Sequence, residues 1–170
     1  GCATSGLVAD ARVLVDEARK AAQVHKVTYN ENITVEALVK KICDLKQNYT
    51  LYGGGRPFGT ALLMAGVDDL GCHLFETDPS GALIAYKAGS IGSGRPVVMD
   101  IFEKEYRDDL TYDEAMLLGL RALSVAIEEK LDPASVECSV VEPNKPFRRL
   151  NEVEIGEFVK KLDETPEKSE

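Results

Sequence analysis

Nucleophilic catalysis needs a base beside a nucleophile, and the chain has two histidines, His25 and His73, to supply one. His25 falls near the end of a helical pattern. His73 follows Cys72 in a strand pattern, where neighbours point to opposite faces, so the two do not form a dyad. The four cysteines, Cys2, Cys43, Cys72 and Cys138, show no Cys-x-x-Cys spacing. Zinc is not expected, and the four read as reduced, mostly buried thiols of an intracellular protein. The acidic pairs Asp108-Asp109 and Glu128-Glu129 fall at helix ends or on polar faces and read as solvated charge. Ile91-Gly92-Ser93-Gly94 before a helix could offer backbone N–H groups to an anion. Val97 stands where the third glycine of the dinucleotide fingerprint would be, and there is no Gly-Lys-Ser/Thr triplet. A tight strand-to-helix turn is the better reading. These residues predict no catalytic set, no metal and no cofactor.

The segment Tyr52-Gly53-Gly54-Gly55-Arg56-Pro57-Phe58-Gly59 is of another kind. It joins a helical pattern to the apolar run Ala61–Val67. Glycines without Cβ atoms let the backbone turn where other residues clash. Pro57 biases Arg56 toward extended geometry. Two readings follow: a flexible linker, or a turn that must pass close to something.

The flanking elements are legible from periodicity. Leu7 to His25 is helical, with Leu7, Ala11, Leu14, Val15, Ala18 and Ala22 on one stripe. Thr4 or Ser5 is expected to cap it. A second helix runs from about Thr34 to Tyr49, with Val35, Leu38, Val39, Ile42 and Leu45 inward and Lys40, Lys41 and Lys46 on the other side. Strands Ala61–Val67, His73–Thr77 and Ala82–Ile91 make an antiparallel meander, with Asp78-Pro79-Ser80-Gly81 as a type I turn. Ala61–Val67 is apolar on both faces, so both are expected to be covered.

The next helix has Pro96 in its first turn and runs to Tyr106, with Val97, Val98, Ile101 and Phe102 inward. Thr111-Tyr112-Asp113-Glu114 is a capping box for another. That helix has small residues such as Gly119, Ala122 and Ala126 on its packing face and stops near Leu131. A strand Ser135–Val141, an edge strand Phe147–Leu150 and a helix capped by Asn151 with Ile155, Phe158, Val159 and Leu162 inward close the pattern. Gly1-Cys2-Ala3 reads as the end of a strand, and the sequence as one whose front is missing.

At 170 residues, 44% of them apolar, the chain suits one domain over residues 1–162. Residues 163–170 form a charged tail expected to be disordered. The net charge of −9 argues against a phosphate backbone as partner. No run of apolar residues is long enough for a membrane span, and no nucleic acid or membrane partner is expected.

The motifs converge in order along the chain. They are Ser5-Gly6-Leu7-Val8-Ala9-Asp10-Ala11-Arg12, the Tyr52–Gly59 segment, Phe75-Glu76-Thr77-Asp78-Pro79-Ser80-Gly81, Tyr86-Lys87-Ala88, Ile91-Gly92-Ser93-Gly94 and Phe102-Glu103-Lys104-Glu105-Tyr106. Together they resemble the α subunit of the proteasome core particle, archaeal in type, from Gly1 to about Leu162.

The resemblance implies an α+β fold, a four-layer αββα sandwich like that of N-terminal nucleophile hydrolases, here truncated at its N-terminal side. It implies a non-catalytic, cytoplasmic subunit of a seven-membered ring of identical α subunits. Its partners would be β subunits, an activating AAA ATPase ring and unfolded protein substrates in transit. Tyr52, Gly53, Gly54, Gly55 and Arg56 would line the channel annulus. Gly6 and Leu7 would wall the activator pocket. Asp10, Ala11, Arg12 and Leu14 would belong to the helix that contacts the β ring. The family's pocket lysine and gating tail have no counterpart here, and exposed sheet edges predict poor solubility for the polypeptide alone. Two alternatives stand beside this: an active N-terminal nucleophile enzyme exposing Thr4, or a binding module built on Gly92-Ser93-Gly94.

Overall fold

The computed structural model describes residues 1–52 and 55–164. They are helices and antiparallel sheets in two compact units. The first unit comprises Gly1–Gly92 with Val141–Pro146, and the second Ser93–Val140 with the chain from Phe147 onward.

In the first unit β1 (Cys2–Gly6), β2 (Thr60–Asp68), β3 (Gly71–Thr77) and β4 (Leu83–Tyr86) form one antiparallel sheet in sequential order. β1 pairs with β2 from Cys2 opposite Met64 to Gly6 opposite Thr60. The helices α1 (Val8–Tyr29) and α2 (Val35–Leu51) cover one face of this sheet. Ala11, Leu14 and Ala18 of α1 meet Val39, Ile42 and Cys43 of α2 over Leu62, Met64 and Phe75. Alternation explains the choice of face: Thr60, Leu62 and Met64 are buried while Ala61, Leu63 and Ala65 are only half-buried. The expected cover on both faces is thus much heavier on one.

Thr34 caps α2, its hydroxyl accepting from the Ala37 N–H at 3.3 Å. α1 starts differently from expectation. Thr4 and Ser5 are held in β1, the N-cap position belongs to Leu7, and no side chain caps it. The helix also runs past His25 to Tyr29, where Asn30 adopts the left-handed conformation and stops it. β4 is four residues long, shorter than the Ala82–Ile91 expectation.

The second unit holds α3 (Arg95–Glu105), α4 (Tyr112–Ile127), the short pair β5 (Ser139–Val140) and β6 (Arg148–Arg149), and α5 (Glu152–Glu164). The Thr111 hydroxyl accepts from the Glu114 N–H while the Glu114 carboxylate accepts from the Thr111 N–H, completing the predicted capping box. Asn151 and Glu154 reciprocate in the same way at α5. Leu120, Leu131, Leu150, Ile155 and Phe158 make this unit's core.

The strands here are shorter than the apolar patterns suggest, because only two residues of each find ladder partners. Val97 is exposed, so only Val98 of the predicted α3 stripe is fully buried. α4 ends at Ile127, four residues before the expected stop, with Glu128 left-handed. α5 carries helix two residues beyond the 162 boundary, and residues 165–170 of the predicted tail lie outside the described residues.

Candidate functional site

The carboxylate of Asp10, in the first turn of α1, is the centre of the polar structure around the glycine-rich corner. Its Oδ2 accepts from Arg56 Nη1 at 2.6 Å and from the Gly59 N–H at 2.8 Å, and its Oδ1 accepts from Arg56 Nη2 at 2.7 Å. The pair is bidentate, the strong form of arginine–carboxylate contact. The side chain of Asp10 is 11% exposed. The Arg56 guanidinium, followed by the Gly59 N–H, holds its carboxyl down to about 2. Arg56 is held above its usual value by the same hydrogen bonds.

Gly59 is gripped at both ends. Its N–H goes to Asp10, and its carbonyl accepts from the Leu7 N–H at 2.8 Å. Gly6 lies against it with φ +113, and a Cβ on Gly6 would sit 2.3 Å from the Gly59 oxygen. Only glycine meets both demands. Phe58 is buried and meets Tyr49 edge-on at 4.8 Å, which seats the corner on the end of α2. The corner is therefore no free linker from Arg56 to Gly59.

Residues of three predicted groups meet here. Asp10 of the α1 contact helix grips Arg56 of the annulus set, while Gly6 and Leu7 of the pocket wall touch Gly59 of the corner. Tyr52 is 72% exposed and Gly55 is open to solvent. Gly53 and Gly54 lie outside the described residues. Among the predicted residues of the α1 contact helix, Ala11 and Leu14 have their side chains buried in the core between α1, α2 and β2. Asp10 is likewise turned inward to Arg56. Arg12 is the exposed member of the four.

Lys46 is a residue the sequence reading misplaced. It was expected on the polar side of α2, yet it is fully buried. Its Nζ donates to Thr77 Oγ1 at 2.7 Å and to the carbonyls of Thr60 and Asp78 at 3.0 Å each, with the Thr77 carbonyl at 3.4 Å. Three hydrogens thus serve the ends of β2 and β3. Burial pushes the ammonium below the usual lysine value, and nearby Cys43 and Asp78 oppose that. The signal was its spacing: Lys46 follows Val39 by seven and Ile42 by four, on the core stripe.

The cysteines are also mixed. Cys43 is buried and Cys138 half-buried, but Cys2 and Cys72 are exposed, and all four are free. His73 does not face Cys72. Its Nε2 lies 2.9 Å from Asp68 Oδ1, and Asp68 also accepts from the Val35 and Leu70 N–H groups, tying the β2–β3 turn to the start of α2. In the second unit a cavity of about 490 Å³ opens among Lys104, Arg107, Glu114, Leu117, Arg121 and Leu162. Arg121 pairs with Glu105 and Arg107 with Glu114.

A family model of proteasome subunits matches residues 1–141. The chain belongs to the proteasome subunit family. Proteasome subunit alpha of Methanothermobacter thermautotrophicus is 56% identical over 171 aligned positions, covering all of this chain and 69% of that protein. Proteasome subunit alpha of Methanosarcina thermophila is 54% identical over the same shares. That of Archaeoglobus fulgidus is 55% identical, over 95% of this chain and 66% of that protein. The chain thus spans about two thirds of the length of these proteasome subunits. The archaeal α-type resemblance drawn from the motifs holds along the whole chain, with the α+β character seen in both units. Among the described residues no helix is long and apolar enough to cross a membrane.

Proposed function

We propose that this chain is a non-catalytic α-ring subunit of a proteasome core particle, forming the substrate entrance and a docking surface for an activating ATPase ring. The observation that carries this reading is its identity of about 55% to archaeal proteasome α subunits from end to end. Membership in the family makes assembly with other proteasome subunits the ground of the proposal. We further assign it to a seven-membered ring of identical copies, stacked on β subunits in the cytoplasm and passing unfolded proteins inward. The four-layer αββα sandwich belongs to the same proposal.

Within this reading Tyr52, Gly55 and Arg56, with Gly53 and Gly54, line the channel mouth. The exposure of Tyr52 supports this. Gly6 and Leu7 wall the activator pocket. Asp10, Ala11, Arg12 and Leu14 belong to the helix that contacts the β ring, with Arg12 as its exposed side chain. The alternative, an active N-terminal nucleophile enzyme, needs Thr4 as a free terminal residue. Thr4 instead lies within β1 opposite Leu62, which favours the non-catalytic reading.

The test is co-expression of the full-length chain with its β subunit, followed by electron microscopy and degradation assays. Seven-fold α rings capping active particles are expected. Replacing Gly55 by Trp is expected to slow uptake of an unfolded protein while sparing assembly. A Cβ at Gly55 meets only the Tyr49 ring, at 3.5 Å, an ordinary contact. Particles without rings, or unchanged uptake in Gly55→Trp, would overturn the corresponding part.

A further inference from the structure

We propose that Asp10 is a positioning residue that couples the Gly6–Leu7 wall to the Gly55–Arg56 corner, so that a displacement at one is passed to the other. This rests on the reading of Gly6–Leu7 as the activator pocket and of the corner as the entrance. The coupling runs through contacts, not through proximity. Asp10 stands in the first turn of α1, three residues after Leu7, donates its N–H to the Leu7 carbonyl at 3.1 Å and grips Arg56 with both carboxylate oxygens. Arg56 Nη1 also donates to the Pro57 carbonyl at 3.0 Å, fixing the guanidinium to its own backbone.

Gly59 closes the circuit, donating to Asp10 and accepting from Leu7. Behind it Thr60 donates its hydroxyl to the Ser5 carbonyl at 3.0 Å. The close approach of Gly6 to the Gly59 oxygen leaves no slack between the two segments. An exposed ion pair alone would transmit little. Here the carboxylate is nearly buried, the geometry is forked, and a backbone amide shares the acceptor. Contiguous hydrogen-bond and ion-pair contacts of this kind carry coupling between sites when the network can adopt two arrangements.

The experiment uses full-length chain assembled with β subunits and an archaeal proteasome-activating ATPase ring as probe. The readout is the stimulation ratio, peptide hydrolysis with the activator over hydrolysis without it. Asp10→Asn and Arg56→Gln are each expected to lower the ratio several-fold. The double variant is expected to be no worse than either single, because each already breaks the pair. Arg56→Lys, which keeps the charge but not the fork, is expected to recover only part of the ratio. Ratios at the wild-type level in both singles, or losses that multiply in the double, would overturn the proposal. If Asp10→Asn fails to enter particles, Arg56→Gln against Arg56→Lys decides it. A wild-type particle that the activator does not stimulate would remove the pocket reading itself, and this inference with it.

Discussion

Lys46 Nζ donates to Thr77 Oγ1 at 2.7 Å inside the first unit, joining the middle of α2 to the last residue of β3. Among the described residues the ammonium has no carboxylate within hydrogen-bond distance. It is satisfied by a hydroxyl and by backbone carbonyls at the two strand ends. It therefore ties α2 to the ends of β2 and β3 in addition to their hydrophobic packing.

Lys46→Met keeps the length and apolar stem but removes the donor. The carbonyls of Thr60 and Asp78 and the Thr77 hydroxyl would lose a buried partner, and a single such loss costs about 1–3 kcal/mol. Denaturant unfolding is expected to show a loss of at least that size, with the slope unchanged. A variant as stable as wild type would mean that water reaches these oxygens.

Asp10 titrates at about 2 in the folded protein against 3.8 for an ordinary aspartate. The folded state thus binds its proton less readily than the unfolded state. The stabilisation is present in full above about pH 4 and is lost as pH falls through 3.8 toward 2. Asp10→Asn is expected to flatten the acid limb of the stability profile in that window. The carbon-13 shift of the Asp10 carboxyl should titrate near 2, and a midpoint near 4 would contradict the ion pair.

Two glycines are expected to respond in opposite directions. Gly6→Ala forces a side chain into φ +113 and 2.3 Å from the Gly59 oxygen. The backbone strain alone costs about 1–3 kcal/mol, and the clash adds to it. Gly119→Ala adds a methyl in α4 where, among the described residues, nothing beyond its chain neighbours and the helix's own backbone lies within 4 Å. Helix propensity then favours alanine by about 0.5–1 kcal/mol. Thermal melts of the two variants check both signs.

Cys72 is exposed, whereas burial pushes the Cys43 thiol up to about 11. Thiolate, the reactive form, is therefore scarce at Cys43 near neutral pH. Alkylation followed by peptide mass spectrometry is expected to modify Cys72 well before Cys43. Equal rates would place Cys43 in contact with solvent.

Helices α2, α4 and α5 were legible because their stripes and caps are local, whereas α1 showed its stripe but not its start, since β1 takes up Thr4 and Ser5. Thr111 and Glu114, three residues apart, settle a helix start without help from the rest of the chain. The meander was legible from its turn residues, Asp78 to Gly81 above all. The short β5 and β6 were overread because the apolar residues of Ser135–Val141 and Phe147–Leu150 suit a strand, while the ladder partners that fix its length are set by tertiary contact. The corner was found by its glycines, but its anchor was not. Asp10 precedes Leu14 by four, which places it beside the buried stripe, yet nothing local says that Arg56 will meet it across 46 positions. Lys46 shows the same limit. Its residue type argues for solvent, its spacing for the core, and the acceptors that decide between them lie on β2, β3 and the turn after β3.

The dry seat of Lys46 also bears on behaviour under heat. Hydration of a cation becomes less favourable as temperature rises, so withdrawing it from water costs less in a hot solution. The tie between α2 and the strand ends should therefore gain in relative worth on warming, while the stabilisation from the surrounding leucines and valines levels off.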